Sequence, residues 1–139
     1  MVSLVVFGSV ARDTERYDSD LDFLLVCEEL PAGRLRRVED FHAVEGALEP
    51  LLEGLKRDGY AISLSPVFKT RKEATAGSAL FLDLLEDSII LCDREGFFTG
   101  VLARLRERLA VLGARRIWRG NAWYWDLKPD FKPGEVFEL

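Results

Sequence analysis

Short apolar runs alternate along the chain with longer segments in which apolar residues recur at helical spacing. Residues 4–7 and Asp20–Cys27 are rich in β-branched, aliphatic and aromatic side chains and predict two buried strands. Runs over 60–68 and 89–92 predict a third and a fourth strand. Pro66 lies in the third run, and because proline cannot donate a hydrogen bond to a neighbouring strand, it predicts an edge strand or a bulge.

Helical spacing of apolar residues, together with one capping signal, predicts four helices. Ser9 is expected to cap the first of them, Pro50 to kink or break the second near 46–49, and Gly113 to end the last. These helices are predicted over 9–14, 32–57, 70–86 and 95–112. The apolar face of the second consists of Leu35, Val38, Phe41, Val44, Leu48, Leu51, Leu52 and Leu55. The predicted fold class is α/β, with a small mixed sheet of about four strands and helices packed on it.

The segment 114–139 has a different pattern. Two aromatic stretches, 116–118 and 123–125, flank a turn containing Gly120-Asn121 and predict a β-hairpin, followed by an extended tail. We expect its tryptophans to close the core or form a subunit interface, while anchoring of a partner protein and stacking on a nucleobase or RNA stay open. We interpret residues 1–139 as one domain, with its core over about 1–113.

Composition narrows the class of protein. The chain is 48% hydrophobic and 31% charged, with a formal net charge of −5, which disfavours a nucleic-acid partner. Cys27 and Cys92 are far apart and each ends an apolar run, so we expect buried free thiols in a reducing compartment. No apolar run approaches the roughly 20 residues of a membrane span, and no basic, signal-like N-terminus is present. We therefore expect a cytoplasmic protein without a membrane partner.

Two carboxylates at the start of the second predicted strand are the main chemical signal. Asp20 and Asp22 alternate with Leu21, so they share one face of the strand, and their mutual repulsion favours a cation between them. Gly8-Ser9 closes the preceding strand, where backbone N–H groups can receive phosphate. Together they predict Mg²⁺-dependent nucleotide chemistry with one or two ions, whereas the plain alternative is a solvated strand start and an ordinary turn.

The spacing of these residues resembles a known signature. Gly8-Ser9, ten intervening residues and then Asp20-Leu21-Asp22 resemble the signature of the DNA polymerase beta-type nucleotidyltransferase superfamily, in its minimal (MNT) branch. Ala11-Arg12 and Ser19 agree with it. The motif covers about the first fifth of the chain, and the order of elements extends the resemblance to about residue 70. The segment 123–130 is similar to a C-terminal element of some stand-alone prokaryotic members.

The resemblance implies transfer of a nucleoside monophosphate from a nucleoside triphosphate to a hydroxyl group, with release of pyrophosphate. Asp20 and Asp22 would be the catalytic residues and Mg²⁺ ligands, and Gly8 and Ser9 would bind the triphosphate. Arg12 would neutralise phosphate, or would be an ordinary surface arginine. The expected substrate is ATP or another nucleoside triphosphate.

Two departures from the family pattern weaken the prediction of catalysis. Asp13 stands where the family usually has glycine. Active members also carry a third carboxylate on the next core strand, where this chain has Ser63 and Ser65. Loss of a general base costs on the order of 10²–10⁴-fold in rate. A substitute acid such as Asp58 or Glu73, or an acid from a partner, would be needed.

Two functions from different classes follow. The first is an Mg²⁺-dependent adenylyltransferase whose acceptor is a hydroxyl on a protein, with a small antibiotic-type molecule as second choice. By resemblance, its partner would be a HEPN-type helical toxin that it modifies as an antitoxin. The second is a catalytically weak or inactive antitoxin or binding module that acts by contact alone. A homodimer stays open, and His42, the only histidine, is expected on a helix surface or half-buried, without a catalytic role.

Overall fold

A four-stranded mixed sheet lies at the centre of the computed structural model, which describes residues 1–139. Its strands are β1 (Ser3–Phe7), β2 (Asp20–Cys27), β3 (Ser63–Thr70) and β4 (Ile89–Asp93), in the spatial order β3-β2-β1-β4. β1 is antiparallel to both β2 and β4, whereas β2 and β3 are parallel. A parallel pair needs a long crossover, which the intervening helix provides. The predicted α/β class is confirmed, and Pro66 lies on edge strand β3.

Helices cover both faces of this sheet. They are α1 (Gly8–Ala11), α2 (Arg34–Arg57), α3 (Arg71–Ala76), α4 (Leu80–Leu84) and α5 (Phe97–Leu112), with a 3₁₀ turn at Arg94–Gly96 before α5. Gly113 ends α5 in the left-handed conformation, with φ +69°, as expected. The N-cap of α1 is Phe7, so the prediction that Ser9 caps this helix is wrong.

Two other predicted helices differ in the structure. α2 is continuous through Pro50, so the predicted break near 46–49 is wrong, whereas a kink there stays a prediction. The helix tolerates this proline because the region is exposed and the carbonyl left without a proline N–H can face water. The predicted helix over 70–86 is two helices, separated at Gly77, whose φ of +91° interrupts the helical backbone.

The larger core lies on the face of the sheet covered by α3, α4 and α5. Val5 and Leu24 contribute from the sheet, and Phe81 and Phe98 pack edge to face with ring centroids 5.2 Å apart. All four side chains are buried. This face carries most of the apolar burial that holds the helices to the sheet.

α2 covers the opposite face only in part. Phe41 is its one buried residue and packs between Phe23 and Phe68. Leu35 and Leu51 are 80% and 63% exposed, so the predicted apolar face of α2 is only partly covered. An apolar groove of about 520 Å³ separates α2 from the β1–β4 side of the sheet.

Edge strand β4 has little cover. Leu91 is 61% exposed and Cys92 is exposed, because no helix packs closely over this strand on the α2 side. The expectation that both cysteines are buried is therefore wrong for Cys92, whereas Cys27 is half-buried. Both are free thiols, and none of the helices is long and apolar enough to cross a membrane.

The predicted hairpin is confirmed as a separate two-stranded antiparallel sheet of β5 (Arg115–Arg119) and β6 (Ala122–Asp126). The tail after it folds back on the protein and is not simply extended. The Lys128 ammonium lies 2.7 Å from a carboxylate oxygen of Glu135, and Arg108 on α5 donates a hydrogen bond to the Glu138 carbonyl at 2.6 Å. That both sheets belong to one domain stays a prediction.

Candidate functional site

The sheet brings the predicted phosphate loop and both aspartates to one edge. Phe7 is paired with Asp22, so Gly8, the next residue, lies beside the start of β2. Since β1 is antiparallel to β2, the end of the first strand meets the beginning of the second. Asp20 and Asp22 share the face of the sheet that carries Leu24 and the larger core. The apolar groove beside α2 lies on the other face, so it is not part of this site.

Gly8 and Asp22 are in direct contact. A Cβ atom placed on Gly8 would lie 2.5 Å from an Asp22 carboxylate oxygen, and the φ of Gly8 is +74°. Both observations require glycine, since any side chain would collide with the carboxylate and strain the backbone. The Asp22 carboxylate therefore lies directly against the turn that leads into α1.

The turn after Gly8 offers backbone donors. The first N–H groups of a helix have no partner within it. No side chain caps α1, and Ser9 lies inside its first turn rather than before it. Its hydroxyl is therefore free of the predicted capping role, and the arrangement is compatible with the predicted binding of phosphate by Gly8 and Ser9.

The register of β3 places two serines beside the aspartates. Ser63 pairs with Asp20, and Ser65 pairs with Asp22. Residues in register on adjacent strands project from the same face of a sheet, so all four side chains share one face. Ser65 is half-buried next to Asp22, whereas Ser63 is exposed at the strand start. The family resemblance leads us to expect a third carboxylate at one of these two positions, and this chain has serine at both.

Glu73 does not fill this gap. It lies beyond Thr70 at the far end of β3, roughly 17 Å along the strand from Ser65. There its carboxylate binds both terminal nitrogens of Arg37, at 2.8 and 2.9 Å, and accepts a hydrogen bond from the Thr70 N–H. The Arg37 hydrogen bonds, followed by the bond from Thr70, lower the pKa of Glu73 to about 2. The hypothesis that Glu73 serves as the third acid is wrong.

Asp58 lies nearer to the site but forms no cluster with the aspartates. It follows α2, and the segment after it is held at the same edge by a hydrogen bond from the Ala61 N–H to the Tyr17 carbonyl, at 2.8 Å. No group of three histidine, cysteine, aspartate or glutamate side chains is close enough to hold a metal ion. The site thus offers two carboxylates from β2 and no third acid.

Two carboxylates still fit a nucleotide-bound Mg²⁺. Magnesium in such sites is commonly held by one or two protein carboxylates, with substrate phosphates and waters completing its coordination. Asp20 and Asp22 supply hard oxygen ligands on one face, and the Cα of Gly8 leaves room beside Asp22 that a side chain would fill. The donor set fits an ion shared with the substrate and not an all-protein cage.

Asp13 adopts the backbone conformation that glycine favours. Its φ is +57°, in the left-handed region. Glycine at this position, as in the family pattern, would remove that strain. Aspartate is among the few other residues that tolerate the conformation, which explains how the chain accommodates this departure.

Arg12 lies one helical turn after Gly8, and its backbone N–H donates a hydrogen bond to the Gly8 carbonyl at 3.2 Å. The carbon at the centre of its exposed guanidinium is 5.7 Å from the centroid of the Trp123 ring in the hairpin. Sequence reasoning missed this contact, because 111 positions separate the two residues and no local pattern reports it. The only sequence signal for a contact of this kind is the alternation of arginine and tryptophan in the hairpin segment.

His42 stands apart from the site. It lies on the surface of α2, with its Nδ1 atom 3.1 Å from a Glu45 carboxylate oxygen. The expectation of a surface or half-buried position for this residue is confirmed.

Comparison with known protein families agrees with this arrangement. The family model described as "Nucleotidyltransferase domain" matches residues 2–78, more than half of the chain. The chain belongs to the nucleotidyltransferase domain family. The matched range of this nucleotidyltransferase-domain protein contains Gly8, both aspartates and the whole of β3, so the predicted nucleotidyltransferase domain is confirmed.

A relative and two solved structures are similar to this nucleotidyltransferase-domain protein. "Putative protein adenylyltransferase MJ1305" of Methanocaldococcus jannaschii is 29% identical over 108 residues, which cover 76% of this chain and 68% of the relative. A crystal structure described as a toxin-antitoxin with AMP-PNP is 16% identical, with a TM-score of 0.45. A mutant of the toxin-antitoxin MntA-HpeT is 14% identical, with a TM-score of 0.42. The match to each of the two solved structures covers 81% of this chain and 83% of the solved chain.

Proposed function

We propose that this protein transfers AMP from ATP to a hydroxyl group on a partner protein. The observation that carries the proposal is the contact between Gly8 and the Asp22 carboxylate, which joins the phosphate loop to the paired carboxylates. Membership of the nucleotidyltransferase domain family supports the reaction type. Similarity to a protein named as a protein adenylyltransferase supports AMP as the transferred group and a protein as acceptor.

In the proposed reaction the acceptor hydroxyl oxygen forms a bond to the α-phosphorus, and the bond from that phosphorus to the oxygen bridging to the β-phosphorus breaks, releasing pyrophosphate. The hydroxyl proton passes to water. Asp20 and Asp22 would hold Mg²⁺, which when bound supplies positive charge that stabilises the phosphates. Backbone N–H groups after Gly8, the Ser9 hydroxyl and Arg12 would orient the triphosphate. Ser65, where a carboxylate would accept the hydroxyl proton, is not a base at neutral pH.

We infer further that the acceptor protein is a HEPN-type helical toxin that this chain modifies as its antitoxin. This inference rests on the resemblance of the Gly8-to-Asp22 motif to the minimal branch of the superfamily. The product of the gene adjacent to its own is therefore the first acceptor to test.

The test is label transfer to that acceptor. ATP labelled at the α-phosphate should label the partner in the presence of Mg²⁺, whereas ATP labelled at the γ-phosphate should not. Asp20→Asn and Asp22→Asn should abolish the transfer, and the matched control Asp18→Asn, an exposed aspartate two residues before the site, should not. Transfer of the γ-label, or transfer unchanged in both site variants, would overturn the proposal.

A carboxylate restored on β3 gives an independent test. Ser65→Asp places an acid beside Asp22. The rate of label transfer should rise, with an upper limit of roughly 10²–10⁴-fold, the rate increase that a positioned general base contributes. Ser63→Asp, beside Asp20 at the exposed strand start, is the matched control and should raise transfer less. A fall in transfer in well-folded Ser65→Asp would show that this position does not face the reaction.

The serines on β3 favour a second candidate function, in which the protein neutralises its partner by contact alone. The specific observation is that Ser63 and Ser65 occupy both register positions beside the aspartates. Under this alternative, wild type and Asp22→Asn bind the partner equally well and neither transfers label.

A further inference from the structure

The C-terminal hairpin reaches the proposed triphosphate loop through a single aromatic residue. Trp123 in β6 is half-buried, and the guanidinium of Arg12 lies 5.7 Å from its ring centroid. This distance is within the range in which an arginine and a tryptophan attract each other through a cation–π interaction. Since Arg12 is itself exposed, its remaining N–H donors are accessible to a ligand.

A second contact ties the hairpin to the same edge of the large sheet. Arg116 in β5 lies 3.7 Å from a carboxylate oxygen of Glu86 and 3.6 Å from one of Asp87. Both acids stand just before β4, whose first residue, Ile89, is paired with Val6. Because Val6 is two residues before Gly8, this second attachment also lies near the phosphate loop.

Arg116 also supports the Trp123 ring. The central carbon of its guanidinium lies 4.4 Å from the ring centroid of Trp123 and 4.7 Å from that of Trp118. The ring centroids of the two tryptophans are 5.1 Å apart. Arg116 is itself largely buried. The Trp123 ring therefore packs against Arg116 and Trp118 and also contacts Arg12.

We propose that Trp123 is a positioning residue that holds Arg12 for binding the triphosphate of the substrate nucleotide. A free arginine side chain loses rotamer freedom when it binds phosphate, and a side chain already held loses less. Arg12 begins one helical turn from Gly8, so its guanidinium is within reach of phosphates held at the loop. This inference rests on the proposed function, because it assigns a role in binding the same nucleotide.

The experiment is a double-mutant cycle on nucleotide binding. Calorimetry measures the affinity of the full-length wild type, Arg12→Ala, Trp123→Ala and the double variant for Mg·ATP and for AMP. Trp123→Ala should weaken Mg·ATP binding about two- to fivefold, the range of an exposed cation–π contact, and change AMP binding less. The double variant should bind Mg·ATP no more weakly than Arg12→Ala alone, because the effect of Trp123 passes through Arg12.

Two further variants separate positioning from a general effect on the hairpin. Trp123→Phe keeps a smaller aromatic ring and should retain part of the affinity, which also keeps the test decisive if the alanine variant does not fold. Tyr124→Ala removes a 45% exposed aromatic side chain from the other face of β6 and should leave the affinity for Mg·ATP unchanged.

Additive effects of the Arg12 and Trp123 substitutions, or equal losses for Mg·ATP and AMP, would overturn the positioning role and leave the proposed function intact. Failure of the wild type to bind Mg·ATP would instead overturn the proposed function and this inference with it.

Discussion

Gly8 is the residue whose surroundings constrain the site most tightly. Alanine there would bring a Cβ to 2.5 Å from an Asp22 oxygen and would force a side chain onto a backbone with φ +74°. Gly8→Ala should lower the free energy of unfolding by about 1–3 kcal/mol and displace the Asp22 carboxylate, so that Mg·ATP binding is lost. Urea unfolding and calorimetric titration measure the two effects.

The matched control for this change is Gly46→Ala. Gly46 lies inside α2, and a Cβ on it would meet no atom within 4 Å. That substitution should raise the free energy of unfolding by about 0.5–1 kcal/mol and leave nucleotide binding unchanged. Normal Mg·ATP binding by Gly8→Ala would contradict the close approach of the loop to Asp22.

Asp13 gives a second prediction at the scale of one residue. Asp13→Gly should raise the free energy of unfolding by up to about 1 kcal/mol, because glycine adopts the φ of +57° without a steric penalty. Asp13→Asn removes the same charge but keeps a side chain, so it separates backbone strain from electrostatics. An equal rise in both variants, measured by urea unfolding, would assign the effect to charge.

Among the elements, the start of α3 is held by a polar cluster at the end of the sheet opposite the site. Thr70 and Glu73 form a capping box, in which each side chain binds the backbone N–H of the other. Arg37 from α2 binds the Glu73 carboxylate and also donates to the carbonyls of Pro31 and Phe68. One carboxylate therefore joins α2 to the beginning of α3.

This cluster predicts a pH-dependent contribution to stability. Because the folded-state pKa of Glu73 is lowered from its ordinary value of 4.5 to about 2, its contribution is fully present above about pH 4.5 and is lost as the pH falls through about 2. Glu73→Gln should lower the free energy of unfolding at pH 7 by about 1.5 kcal/mol, near the lower limit for a charged hydrogen bond, since the carboxylate is 38% exposed.

Urea unfolding at pH 7, 4 and 3 checks this prediction. The difference between wild type and Glu73→Gln should shrink as the pH falls below 4.5. Glu53→Gln, an exposed glutamate on α2, is the control and should change the stability by less than about 0.5 kcal/mol. A difference that stays constant down to pH 3 would contradict the assignment to the ionised carboxylate.

In the whole molecule, the hairpin shares no hydrogen-bonded strand pair with the large sheet. Its attachment runs through side chains, among them Arg116, which is only 16% exposed. Arg116→Ala should therefore speed amide hydrogen exchange in β5 and β6 by about five- to thirtyfold, the equivalent of about 1–2 kcal/mol, with little change in the four-stranded sheet.

Mass spectrometry of exchanging peptides resolves the two sheets. Arg115→Ala is the control, because Arg115 is exposed and its side chain points to the other face of β5. Equal exchange in both variants would contradict the role of Arg116 in attaching the hairpin. Faster exchange across the whole chain would show that hairpin and sheet unfold together.

Much of the fold and the site followed from local sequence. Apolar runs of strand length predicted β1 to β4, the spacing from Gly8 to Asp22 predicted the family, and Asn121 beside Gly120 predicted the hairpin turn. Each of these signals depends on neighbouring residues, because strand formation, turn geometry and the contact between β1 and β2 are decided over short stretches of chain.

Only the tertiary structure decided which residues from distant parts of the chain meet. It placed Ser65 beside Asp22, took Glu73 to the opposite end of β3, and brought Trp123 to Arg12. It also left much of α2 exposed, although its apolar spacing predicts burial. The physical reason is that periodicity reports which face of an element is apolar, whereas strand register and the packing of helices decide what that face touches.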